Sequence, residues 1–143
     1  MMGFMASLAD QLATYLHLAR ASELRGRLHV RDRLLVLAAV SAVQLKLTRI
    51  ADCCRQRVLA HNPTHLLRRW PTFAAGCDDP EFAHFLRHLW RRYPPERAER
   101  MLVTLGIERG QERAAYYSDE EFGAALLGVT LSDLDQFGPA DHP

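Results

Sequence analysis

The stretch DRLLVLAAVSAVQLKLTRIADCCRQRVLA, residues 32–60, decides the fold. It holds neither Gly nor Pro, so it predicts one uninterrupted helix capped by Asp32 and, at the usual rise per residue, about 42 Å long. Val36, Val40, Val43, Leu47, Ile50 and Cys54 alternate at steps of four and three, a heptad-like seam. Leu34, Leu37, Ala38 and Ala42 widen the apolar surface until the first half is apolar nearly all round. Either neighbouring helices of the same chain surround that half, or a second subunit covers the side they leave bare. The second option predicts a homodimer through the Asp32–Ala60 helix.

On both sides of this segment Gly and Pro punctuate the chain into further helical pieces, and no stretch sustains the period-two alternation of a half-buried strand. Ser7 with Asp10 three residues on announces a first helix, and Gly26 suits its end. Asn62 and Pro63 end the long helix and open a short one to Trp70. Asp79 and Pro80 start another, with Phe82, Phe85, Leu86, Leu89, Trp90 and Tyr93 at helical spacing until Pro94. Pro95 opens the next, stopped by Gly106. Ser118 with Glu121 begins an acidic C-terminal hairpin of two short helices over residues 118–138, and residues 139–143 are expected to fray. The fold class is therefore all-α, a single domain over residues 1–143, a bundle of about six helices around one long central helix. A length of 143 residues suits one core.

The most apolar run, Leu34 to Val43, is too short to span a membrane. Met1 to Asp10 lacks the basic start and long apolar stretch of a signal peptide. Three cysteines, two of them adjacent in a predicted helix, fit a reducing compartment. The expected location is cytoplasmic.

Charge is segregated along the chain. Residues 1–113 carry all 18 Lys and Arg against 11 Asp and Glu, a net of 18 − 11 = +7, whereas residues 114–143 carry six acids and no Lys or Arg. Such asymmetry bears on association rather than on fold. The sharpest basic cluster is the face of the 80–93 helix that bears His84, Arg87, His88, Arg91 and Arg92, with Arg68 and Arg69 just before it. It reads as a solvated face, a polyanion site, or a surface for an acidic protein, the chain's own tail included.

Other chemistry has thinner support. Glu81, His84 and His88 share one helical face at ligand spacing, but neighbouring arginines oppose a dication. Pro63 separates His61 from His65. Cys53 and Cys77 lie beside aspartates and Cys54 lies on the apolar seam, none of which favours a thiolate. There is no nucleophile elbow, phosphate-binding glycine loop, dinucleotide fingerprint or zinc-protease pair. Ala124, Gly128 and Leu134 resemble three positions of the helix-turn-helix motif, yet the second helix would bring Asp133 and Asp135 to the phosphates with no Lys or Arg, so a packing hairpin is expected.

The expectation is thus a small non-enzymatic interaction or regulatory protein that meets a protein partner through its Arg-rich body and acidic hairpin, with no cofactor and no metal. A nucleic-acid-binding regulator with an autoinhibitory acidic tail is the alternative, and a metal- or ligand-dependent helical enzyme the third reading.

Overall fold

The computed structural model describes residues 7–108 and 112–139. Of the tail over 139–143 expected to fray, residues 140–143 lie outside the described residues, as do the residues before Ser7. All regular structure among the described residues is helical.

The spacing of Ser7 and Asp10 does what it predicts. Ser7 Oγ accepts the Asp10 N–H at 3.0 Å and the Asp10 carboxylate accepts the Ser7 N–H at 3.3 Å, opening helix α1 (Leu8–Leu24). Gly26, at φ 73°, ends it with the Arg27 N–H on the Ser22 carbonyl.

The long central helix is two helices. α2 (Leu28–Gln44) and α3 (Thr48–His61) are separated at Lys46, whose φ is 64°. There the Lys46 N–H reaches the Val43 carbonyl at 2.9 Å and the Leu47 N–H reaches the Ala42 carbonyl at 2.8 Å, a Schellman ending without a glycine. Holding a side-chain-bearing residue in the left-handed region costs about 1–2 kcal/mol. Folding α3 back onto α2 more than offsets this, since Ile50, Ala51, Cys54 and Val58 are all at most 1% exposed and each large apolar side chain so buried contributes about 1.5–3 kcal/mol. Asp32 is consequently no N-cap. Arg27 holds that position, and Asp32 is buried within α2.

α2 is the true centre, buried continuously from Leu34 to Ala42. α1 and α3 are its main neighbours. The short α4 (Phe73–Cys77) and α5 (Pro80–Arg92) cover another side. Neighbouring helices of the same chain therefore surround this apolar segment.

The segment after Pro63 is tighter than expected. In place of an α-helix from Pro63 to Trp70 there is a 3-10 helix, Leu66–Arg69, capped by His65, whose Nδ1 accepts the Leu67 N–H at 3.1 Å. Asn62 lies too far upstream to cap it and is instead the C-cap of α3, its side-chain oxygen accepting the Thr64 hydroxyl at 3.0 Å. α3 secures this stretch, with Asp52 accepting the Phe73 N–H at 2.9 Å and Arg55 donating to the Trp70 carbonyl at 2.7 Å.

Asp79 caps α5 through the Glu81 N–H at 2.8 Å, and Pro80 occupies its first turn. α6 (Pro95–Thr104) ends at Gly106, φ 72°, with Ile107 bonded back to Leu102. A 3-10 turn at Glu112–Ala115 leads to α7 (Asp119–Leu127), and the chain closes with a 3-10 helix, Ser132–Phe137, where a second short α-helix was expected. Tyr15, Leu34, Phe82, Leu89, Leu127 and Leu134 belong to one continuous buried cluster. No helix of the described residues is long and apolar enough to cross a membrane.

Candidate functional site

α5 is strongly two-faced. Phe82 is fully buried, with ring centroids 5.4 Å from Phe73 and Trp70 and 5.9 Å from Phe85. At the other end Tyr15 donates its hydroxyl proton to the Tyr93 carbonyl at 2.7 Å, and its ring meets Trp90 edge-on at 5.7 Å. Burial, with Glu96 and Glu99 nearby, raises the Tyr15 pKa, so the phenol stays a donor. This aromatic anchorage fixes the helix's rotation and sends His84, Arg87, His88, Arg91 and Arg92 outward, all exposed.

The histidine pair is in direct contact, Nε2 to Nε2 at 3.2 Å with ring centroids 4.7 Å apart, so one ring donates and the other accepts. Arg87 approaches His84 Nδ1 at 3.4 Å. Arg87, Arg91 and Arg92 form no ion pair among the described residues. Arg97 donates to the Arg92 carbonyl at 2.8 Å, and the Arg92 and Arg97 guanidiniums each lie 5.8 Å from the Tyr93 ring centroid. Those contacts use the cations' faces and leave their charge unneutralised.

The two arginines before α5 divide. Arg68 is exposed and forms no ion pair among the described residues, whereas Arg69 pairs with Glu81. That pairing also turns Glu81 toward Arg69, and no group of three metal-ligating side chains forms among the described residues.

The acidic hairpin docks elsewhere, on α1 and α3. Arg49, 3% exposed, donates from Nε and Nη2 to Glu120 at 3.1 and 2.8 Å and from Nη1 to Asp135 at 3.0 Å. Those hydrogen bonds, chiefly to Glu120, raise its pKa further. Arg57 donates to the Leu127 carbonyl, and Arg113 binds Asp119 at 2.5 Å. Asp133 and Thr130 cap each other at 2.8 and 3.1 Å. At Gly123 a Cβ would stand 3.3 Å from Ile50 Cδ1, so the missing side chain sets how closely α7 approaches α3. Asp135, on the stretch resembling a recognition helix, is turned to an arginine of the same chain.

A constellation missed by the sequence reading sits where α1, α2 and α3 converge. Asp32 accepts from Arg31 Nε and Nη2 at 3.2 and 3.0 Å on one oxygen and contacts His61 Nδ1 at 2.6 Å on the other. Arg31 reaches Glu23 at 2.7 Å, and the His29 ring lies 5.1 Å from that of His61. A carboxylate on Nδ1 is how a general-base histidine is oriented. The adjoining cleft of about 450 Å³ is lined by Glu23, Leu28, Arg31, Arg57, Ala60, His61 and Leu127, with no hydroxyl or thiol among them. Cys53 and Cys54 are buried, which raises their pKa, and burial with Asp78 nearby pushes the Cys77 thiol up to about 11. The cluster acts as a staple between three helix ends. Only the break at Lys46 makes it foreseeable, because Asp32 and His61 are nearly equidistant from it along the chain.

The chain matches no protein-family model, no curated protein and no solved structure.

Proposed function

We propose that this chain is a non-enzymatic binding protein whose α5 surface recognises an acidic segment of a partner protein. The observation that carries the reading is the contrast between arginines. Arg31, Arg49, Arg69 and Arg113 are matched to carboxylates of their own chain, whereas Arg87, Arg91 and Arg92 are held outward by a buried aromatic stripe and matched to none among the described residues. A fixed row of exposed guanidiniums steers and orients carboxylates, raising on-rate and specificity more than affinity. The hairpin's engagement with Arg49 favours an external acidic partner over the chain's own tail.

The test is fluorescence anisotropy of the full chain with a labelled glutamate-rich peptide and with single- and double-stranded oligonucleotides, across a salt series. The expected result is peptide binding that weakens with salt and is lost in the Arg87→Glu/Arg91→Glu/Arg92→Glu variant with its melting temperature unchanged. Tighter, steeply salt-dependent oligonucleotide binding would transfer the surface to the nucleic-acid reading. No binding of either probe at low salt would reject both.

A further inference from the structure

We propose that the groove between α1, the start of α2 and α6 binds a free, single-chain fatty acid, an occupant distinct from the partner of the α5 surface. The groove encloses about 420 Å³, within the ~300–1,000 Å³ of small-molecule sites. Its apolar lining comes from Leu18 and Ala21 of α1, Val30 of α2, Met101 of α6, and Leu105 just past the end of α6. These side chains are aliphatic or thioether, with no aromatic ring among the lining residues on which a base or planar cofactor could stack. An extended hydrocarbon chain is the shape and chemistry that such a floor accepts, and methionine adapts readily to its contour.

Charge identifies the head group. Arg25 and Arg27, from the α1–α2 corner, stand on one wall, and Arg97 and Arg100 stand on the other. All four are exposed, and none forms an ion pair among the described residues. Acidic side chains are absent from the lining, and Ser22 and Thr104 add hydroxyl donors. An apolar trough bracketed by cations from both walls complements a molecule with a hydrocarbon tail and one anionic end. A neutral lipid would leave those guanidiniums crowded around its chain with no counter-charge, and a carboxylate accepts from them in charge-assisted hydrogen bonds.

The probe is a dansyl-labelled undecanoic acid, below its aggregation concentration, with full-length protein and with laurate and dodecanol as competitors. Laurate is expected to displace the probe, and dodecanol about tenfold less effectively, the loss of one charge-assisted interaction. Arg97→Gln/Arg100→Gln should weaken laurate by a similar factor, and Met101→Glu, which puts an anion on the floor, should abolish binding, both with unchanged melting curves. Equal displacement by laurate and dodecanol, or unchanged affinity in the Arg97→Gln/Arg100→Gln protein, overturns the proposal. So does association with phosphatidylglycerol vesicles by a protein that ignores monomeric laurate. None of these variants replaces Arg87, Arg91 or Arg92, and Met101→Glu also leaves the Arg97 hydrogen bond to the Arg92 carbonyl in place, so loss of laurate binding in Met101→Glu with peptide binding at α5 retained separates the two readings.

Discussion

Arg49 is the residue on which the two oppositely charged parts of the chain meet. Its guanidinium lies almost wholly out of water between Glu120, itself only 12% exposed, and Asp135, which is 74% exposed. Removing one partner of a buried pair is worse than never having built it, because the other charge is left desolvated. Arg49→Ala is therefore expected to cost about 3 kcal/mol in urea unfolding, whereas Asp135→Asn, at the solvated end, should cost less than about 1 kcal/mol. Equal losses would show that Glu120 gains nothing from its burial beside Arg49. His65 makes a second prediction at this scale. Burial lowers its pKa, and its Nδ1 must remain unprotonated to accept the Leu67 N–H. The unfolded chain takes up this proton near the ordinary value of about 6.5, the native chain only at lower pH, so the native state gains stability as pH rises through that interval and loses it as pH falls. His65→Asn keeps a cap acceptor and removes the titration. Its urea stability between about pH 5 and 7 should rise less steeply than that of the parent protein.

Among elements, the corner between α2 and α3 shows what a sequence pattern can and cannot specify. Gly26, Gly106 and Gly128 announce their helix endings because a glycine adopts positive φ freely, and all three do so. Lys46 makes the same kind of ending with φ 64° and no such signal. The seam from Val36 to Cys54 satisfies one long helix as well as two folded together, because periodicity reports which side is apolar and not whether the axis reverses. Reversal is decided by the burial gained when α3 covers α2, a tertiary term absent from any local window. Lys46→Gly should accordingly stabilise the protein by about 1 kcal/mol, seen as a raised melting temperature, since it relieves the left-handed strain while keeping both Schellman hydrogen bonds. A melting temperature that falls would mean that the lysine side chain contributes more than its backbone costs. The amphipathic α5 was legible in full, caps and both faces included, because Asp79, Pro80 and the aromatic spacing are local signals. The Asp32–His61–Arg31 staple was not, because it exists only after the chain has turned at Lys46.

At the scale of the whole molecule, the charge asymmetry of the sequence is partly resolved inside the fold. A body carrying +7 and a tail carrying six acids could have been two pieces that meet only transiently. Instead Phe122, Ala124 and Leu127 of α7 and Leu134 of the final 3-10 helix are all at most 5% exposed. α7 lies on both α1 and α3, so the hairpin closes one side of the helices it packs against. Each of its three large apolar side chains contributes about 1.5–3 kcal/mol by burial, and Arg49 would lose both carboxylates with it. Against a domain's total stability of about 5–15 kcal/mol, that loss is decisive. A chain ending at Tyr117 is expected to lose its cooperative thermal transition by circular dichroism and to bind anilinonaphthalene sulfonate through the exposed flanks of α1 and α3. A truncated chain that still melts cooperatively within a few degrees of the full one would make the hairpin an appendage, and its acids would then be free to compete for the arginines of α5.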